Sequence, residues 1–379
     1  MMKILLTDIF FRKSFDIINI LKRHHPPNTF IYTVSDVSHF NKVKARLIYD
    51  VKHLKQLRKN DSFTQDLLKI SQLFEGDEIV FLPVEESTTL KFFEFLNYVR
   101  ASHNFKFSLP DFKTFTLSRN KEDLNLFCER HHISCPNYIS EQKFNSRAFL
   151  FPIIIKPIHG SGAKDIIYIA NEEDLNDLNI DFGKSFIQER LPNPKDVEAG
   201  FFLCENGKII SFYGHKRIRT FPNTGGVTVF SECSNSLDIK NSGELIINKL
   251  NWSGLLMIEF IFDERDDKYK LIEINPRLWG SIMLSEFCGA EFLKKYVEIS
   301  LGNDLIDTKI IEDTFIRWVF PYDIIYWVKN LSNPFIFFKT NNSTCYINFT
   351  YSTLFRSLFF VCFTYFRFSK LTNLFGSGK

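Results

Sequence analysis

Apolar and polar residues alternate along this chain in two rhythms, and the rhythm changes near residue 110. "KILLTD", residues 3–8, reads as a buried strand that runs into an aspartate. Helical spacing of apolar residues follows from Ser14 to about Arg23. "TFIYTV" and "ARLIYD" are two further strand candidates, and residues 61–74 repeat at helical spacing. "GDEIVFLPVEEST", 76–88, is a strand closing on Pro83 and two acids before another helix. Strand alternating with helix predicts a parallel, doubly wound α/β sheet for residues 1–110. No GxGxxG follows the first strand, so the dinucleotide fingerprint is absent.

Beyond residue 110 strands dominate. "RNKEDLNLFCERHHIS" predicts a helix with Arg119 and Lys121 near its start. "FPIIIKP", 151–157, is an apolar strand interrupted by Lys156; "HGSGAKD" and the strand "IIYIA" follow. A Walker loop instead joins strand to helix and carries GK[ST]. "SFIQERL" is a strand ending on Glu189. "EAGFFLCENGKIISFYGHKRIRT" predicts a hairpin turning at Asn206-Gly207. "SGELIINKL", 242–250, is helical, and "SGLLMIEFIFDERDDKYKLIEINP" is a second hairpin turning through Asp266 and Asp267. "AEFLKKYVEISLG" closes the region as a helix ending at Gly302.

Bulk numbers narrow the function classes. The chain has 379 residues, 45% hydrophobic and 24% charged, as expected of a folded protein of two or three domains. A net charge of +3 gives no strong pull toward nucleic acid. Phenylalanine is unusually frequent, at 43 residues, and its scatter points to core positions. The 7 cysteines contain no CxxC pair, which fits a reducing cytoplasm better than a disulfide framework. Cys128, His131, His132 and Cys135 superficially resemble a zinc site, but their spacing matches no common finger, so a helix end is the simpler reading. No stretch reaches the ~20 apolar residues of a spanning helix.

The candidate chemistry lies in charged residues set inside apolar strands. In the second hairpin Glu259 and Glu273 both interrupt apolar runs. A turn centred near 266 sets them opposite each other across the ladder, with Asn275 two residues on and on the same face. Two carboxylates and an amide oxygen are hard ligands that suit Mg²⁺ (or Mn²⁺) beside substrate phosphates. The alternative is a carboxylate pair at a sheet edge, salt-bridged to lysines. Lys156 is likewise internal to a strand, and a buried lysine needs a partner such as a phosphate oxygen. Gly160, Ser161 and Gly162 form a small loop able to bring backbone N–H groups onto phosphate.

Taken in order, "SRNKEDLNLFCERHHISCPNY", "FPIIIKPIHGSGAKDI", "IQERLPNPKDVEAGFF", "GHKRIRTFPNTGG", "MIEFIF" and "LIEINPRLWGS" resemble the ATP-grasp superfamily. The likeness is to its carboxylate–amine ligases, of the carbamoyl-phosphate-synthase-like kind. It implies an α+β ATP-grasp domain at 111–305, in two subdomains of about 111–182 and 183–305 with MgATP between them. A Rossmann-like α/β domain at 1–110 would precede it, and an aromatic-rich extension at 306–379 would follow.

The same resemblance implies residue roles. Lys121 and Lys156 would contact the α- and β-phosphates. Gln188, Glu189 and Leu191 would hold adenine, and Asp196, or Glu198 in its place, the ribose. Arg217 would steady the transferring phosphate, with Arg219 and Lys216 as alternatives. Glu259, Glu273 and Asn275 would hold the metal, and Arg277 would grip the substrate carboxylate, a task suited to a bidentate fork. The loop 159–164 is the candidate lid.

The implied activity is an ADP-forming ligase for a small-molecule carboxylate and amine, such as an amino acid, peptide or sugar acid. Alternatives are a phosphotransferase on a non-carboxylate acceptor or a non-catalytic nucleotide-binding protein. The expected location is cytoplasmic. "FIRWVFPYDIIYWVKN" and "LFRSLFFVCFTYFRF" in the extension suit a peripheral membrane contact, a partner surface or packing on the protein's own core.

Overall fold

The structure is a computed structural model that describes residues 1–35, 53–58, 62–99, 103–160, 165–176, 178–192, 197–221, 227–319, 323, 326 and 344–347. The chain divides into two compact units. One comprises Met1–Ser108 with Arg277–Lys379, and the other Leu109–Pro276. Residues 277–305, grouped by the sequence reading with 111–276, thus cluster with the N-terminal residues.

In the first unit β1 (Met2–Leu6), β2 (Phe30–Ser35), β3 (His53–Leu57), β4 (Glu78–Phe81) and β5 (Phe105–Lys106) form a parallel sheet in the order β3-β2-β1-β4-β5. This is the doubly wound α/β architecture the alternation predicts. The candidate strand "ARLIYD" lies outside the described residues. The helix Arg12–His24 presents Phe15, Ile17, Ile18 and Leu21 to the core and ends on Lys22, Arg23 and His24, where cations suit the helix dipole. Phenylalanines supply much of the packing: Phe81 stacks on Phe92 at 3.8 Å between centroids, and Phe105 meets Phe92 edge-on at 5.6 Å. The returning chain adds the helices Met283–Phe287 and Phe292–Leu301. Tyr296 donates to the Phe81 carbonyl at 3.0 Å, and Trp318 Nε1 to Asp16 at 2.8 Å, which ties the two segments together.

The second unit holds two antiparallel sheets. β6 (Ile153–Pro157), β7 (Ile167–Ile169) and β8 (Ser185–Glu189) make the smaller, in the order β7-β6-β8. β8 follows the expected subdomain break at 182, yet it completes this small sheet. Ile153, Ile155, Ile169 and Ile187 form its core with Phe144 and Leu175. The larger sheet takes β9 (Val197–Glu205), β10 (Lys208–Phe221), β11 (Val227–Ser234), β12 (Gly254–Asp263) and β13 (Lys268–Asn275), in the order β13-β12-β9-β10-β11. Both expected hairpins are present. The first turns where Asn206 (φ +49°) and Gly207 (φ +76°) adopt left-handed backbone.

Two helices cover the larger sheet. Leu124, Phe127 and Cys128 of Lys121–His131, and Ile246, Ile247 and Leu250 of Leu237–Leu250, bury against Phe202, Leu256, Ile258 and Phe260. Asn120 caps the first by accepting from the N–H groups of Glu122 and Asp123. Ser236 caps the second, which therefore starts ahead of the expected residue 242. A short helix, Phe112–Arg119, capped by Asp111, is one the apolar pattern does not announce.

Candidate active site

The site is built on the second hairpin. Near its turn Asp263 faces Lys268 and Phe260 faces Leu271; a bulge at Ile272 then shifts the register by one residue. The shift sets Glu259 directly opposite Glu273, and Met257 opposite Asn275. The two carboxylates are therefore cross-strand neighbours, with Asn275 on the Glu273 face of β13. Asn275 is buried, while Glu259 and Glu273 keep partial exposure.

On the small sheet Lys156 is 7% exposed, and its Nζ lies over the Phe186 ring at 5.3 Å. Burial lowers its pKa to about 8; Glu273 and then Glu259 oppose that shift, and neighbouring Lys121 adds to it. The ammonium thus sits in the field of the two carboxylates that the hairpin brings together. Lys121 is also buried, and its Nζ donates to the Gly160 carbonyl at 3.0 Å. Gly160 holds φ +138°, a backbone region open to glycine alone, and a Cβ there would meet nothing within 4 Å, so conformation rather than packing selects the residue.

Arg217 on β10 reaches Glu259 and forms an ion pair with it. A register shift at Ile218 breaks the strand's alternation. It separates Arg217 from Arg219, which lies over the Phe230 ring at 5.5 Å. Arg217 Nε is buried without a hydrogen-bond partner. Next to Arg217, His215 is buried and its pKa falls to about 3, through burial first and the guanidinium second, so it is neutral at physiological pH.

The hinge candidates lie on β8 and just beyond it. Gln188 and Leu191 are buried. The Glu189 carboxylate accepts the Asn137 N–H at 2.9 Å and pairs with Arg265 at 3.1 Å, and the Glu189 N–H bonds the Asn137 carbonyl at 3.0 Å. Ser161, Gly162 and Asp196 lie outside the described residues, as do 161–164 of the candidate lid. So does nearly all of the extension beyond residue 319. Among the described residues, no helix is long and apolar enough to cross a membrane.

Arg277 opens the other unit. Its Nε pairs with Glu86 at 3.3 Å and its Nη1 donates to the Leu278 carbonyl at 3.1 Å. Beside it stands a cluster that the sequence reading missed. Lys13 is buried, pairs with Glu85 at 2.7 Å and donates to the Leu278 carbonyl at 3.0 Å. Burial, then Arg277, lowers its pKa to about 8. Thr88 donates to Asp8 at 2.7 Å. These groups gather past the C-terminal ends of β1 and β4, where the strand order reverses, the place where open α/β sheets bind ligands. The signal available was "VEEST" directly after a buried strand.

The residues fit a metal-bound nucleotide on four observations. Two carboxylates and an amide oxygen converge. Two buried lysines lie close by. Arg217 already occupies Glu259 as a cation would, and it has an unused donor. Among the described residues no group of three or more His, Cys, Asp and Glu is placed to hold a metal.

The fold is that of solved ATP-grasp structures. Residues 119–281 match the family model described as an ATP-grasp domain. Among curated relatives, pyruvate carboxylase of Staphylococcus aureus is 22% identical over 180 residues, 42% of this chain and 15% of its own length. The chain thus spans a small fraction of the curated relatives it matches. Biotin carboxylase from Campylobacter jejuni, solved as a beta-gamma-ATP complex, superposes with a TM-score of 0.60 at 14% identity, covering 82% of this chain and 74% of that one. The biotin carboxylase domain of a Hydrogenobacter thermophilus 2-oxoglutarate carboxylase, solved with MgADP and bicarbonate, gives 0.61 at 16% identity, covering 83% and 73%. N5-carboxyaminoimidazole ribonucleotide synthetase from Thermotoga maritima gives 0.56 at 16%, covering 82% and 78%.

Proposed function

We propose that the protein is an ADP-forming ligase that activates a carboxylate with MgATP and joins it to an amine. The observation that carries this reading is the Glu259–Glu273 pair, with Asn275, in electrostatic reach of buried Lys156. Lys121 and Lys156 hold the phosphates. Leu191 and the Gln188 side offer an apolar slot for adenine, and Glu189 acts by fixing the hinge to Asn137 and Arg265. Magnesium at Glu259, Glu273 and Asn275, when bound, would neutralise charge on the phosphates. Arg217 then exchanges Glu259 for a phosphate oxygen and steadies the transferring group.

Two steps follow. The carboxylate oxygen attacks the γ-phosphorus, ADP leaves, and an acyl phosphate forms. The amine nitrogen then attacks the acyl carbon and phosphate departs. Positioning and charge neutralisation supply most of the rate. Arg277 is the candidate grip for the acid, in exchange for Glu86. Arg277→Ala should raise the KM for the acid by about 10–100-fold and change kcat little. A kcat loss at constant KM would remove that role.

The acid is an organic carboxylate or bicarbonate, the anion bound in one of the similar structures. A screen of acid and amine pairs that includes bicarbonate, followed by ADP release and product mass, tests the proposal. Equal ADP and phosphate with one amide, or one carbamate from bicarbonate, per ATP supports it. AMP with pyrophosphate would mean acyl-adenylate chemistry. ADP with a stable phosphorylated product, and no phosphate, would mean a phosphotransferase.

A further inference from the structure

The helix Lys121–His131 carries a thiol pair that the ligase chemistry leaves unused. Cys128 is buried in the core beneath the larger sheet, and Cys135, half-buried, packs on the same core from the segment after the helix. Cys128 and Cys135 line one small cavity. Asn125 Nδ2 donates to the Cys135 sulfur at 3.4 Å. Asn125 is itself buried and fixed on the Pro136 carbonyl at 3.2 Å, so this donor is held in place. A held donor on that sulfur favours its thiolate. The Cys135 thiol is acidified, chiefly through its Cys128 neighbour, whereas Cys135 and burial push the Cys128 thiol up.

Position gives the pair its consequence. Both cysteines line a narrow cleft with Lys121, Phe186, Gln188 and Ile272. The segment after Cys135 is also laced to the hinge. Asn137 exchanges two hydrogen bonds with Glu189, Tyr138 pairs with Gln188, and the Ile139 N–H bonds the Ile187 carbonyl at 3.0 Å. A disulfide holds its sulfurs about 2 Å apart, well inside non-bonded contact. Bonding Cys135 to the rigid, buried Cys128 therefore pulls the strip that holds Gln188 and Glu189.

We propose that Cys135 and Cys128 are an oxidisable dithiol whose disulfide deforms the hinge and weakens nucleotide binding, an inference that rests on the reading of this cleft as the nucleotide site. The oxidant class is a low-molecular-weight disulfide such as oxidised glutathione. The Cys135 thiolate attacks one glutathione sulfur and releases glutathione thiolate, leaving a mixed disulfide. Cys128 attacks the Cys135 sulfur, its proton passing to the departing second glutathione, which leaves as the thiol. Two protein thiols are oxidised and one small disulfide is reduced to two thiols.

The test uses the full chain, fully reduced and then incubated with oxidised glutathione, with peptide mass mapping and MgADP calorimetry on each sample. We expect a Cys128–Cys135 cross-linked peptide lighter by two hydrogens, no retained glutathione, and at least a tenfold loss of MgADP affinity that dithiothreitol reverses. Cys135→Ser should give no cross-link and an affinity that the oxidant does not alter. A persistent glutathione adduct on Cys135, a cross-link to another cysteine, or the expected cross-link with unchanged affinity each overturns the proposal. A reduced chain that binds no MgADP overturns the nucleotide reading and with it the effect proposed here. The cross-link, read independently by mass, tells that failure apart from failure of the dithiol.

Discussion

Lys156→Ala should lower MgATP affinity by about 100-fold or more while the melting temperature stays close to that of the parent. Truncating one member of a desolvated charge pair costs roughly 2–5 kcal/mol, or about 30-fold to several thousand-fold in affinity. Lys156 is 7% exposed, which places it at the desolvated end of that range. The fold loses little, because at neutral pH the buried ammonium costs stability rather than supplying it. Unchanged calorimetric affinity in the alanine variant would remove Lys156 from the phosphate site.

The same residue makes binding depend on pH. Its folded pKa of about 8 lies below the model-peptide value of 10.5, so between these limits the unfolded chain binds more protons than the native one. Stability from this group therefore rises with pH across that window, by roughly 3 kcal/mol in full, and the cost of burying the charge is complete below pH 8. Lys13, also near 8, contributes with the same sign. A bound phosphate reverses the shift at Lys156, since its negative charge favours the ammonium. MgATP binding near pH 8.5 should then take up a proton, visible as a binding enthalpy that changes with buffer ionisation enthalpy. Lys156→Arg should abolish that dependence. A buffer-independent enthalpy in the parent protein would contradict a phosphate on Lys156.

How much of this was legible in the sequence depended on the range of the interactions. The carboxylate pair was readable because its determinants are local: a turn at Asp266 and Asp267, and two acids in apolar strands at matched distances from it. The bulge at Ile272 was not readable, although it is what sets Glu259 opposite Glu273 after a hairpin that starts one residue out of phase. The choice between Arg217 and Arg219 also stayed open, because the irregularity at Ile218 that sends one to Glu259 and the other onto Phe230 leaves no mark in residue type. The Lys13 cluster depends on a carbonyl 265 residues away, and no periodicity reports such a partner. The helix Leu237–Leu250 was half legible: its apolar face showed, but its start is fixed by the hydroxyl of Ser236. The doubly wound sheet was the most visible feature, since alternating strand and helix periods specify it directly.

Glu273→Gln should reduce turnover by about 100–1,000-fold with little change in stability. The substitution keeps the shape of the side chain and removes one unit of charge from the metal set, so folding, which buries Leu271 and Ile274 on either side of this position, is barely touched. Catalysis is affected in two ways. A neutral ligand weakens the hold on Mg²⁺, which should appear as a higher magnesium concentration for half-maximal rate. Phosphoryl transfer also depends on charges placed before the reaction begins, and removing one preorganised electrostatic partner typically costs about 3–4 kcal/mol in the transition state. A third readout is specific to this arrangement. Glu273 is the largest influence raising the Lys156 pKa against burial, so the glutamine variant should move the proton uptake on MgATP binding to lower pH. A residue that merely stabilised the sheet edge would not move that proton. Turnover within threefold of the parent at saturating magnesium, with the proton uptake unshifted, would place the metal elsewhere and leave the Glu259–Glu273 pair as a structural feature of the hairpin.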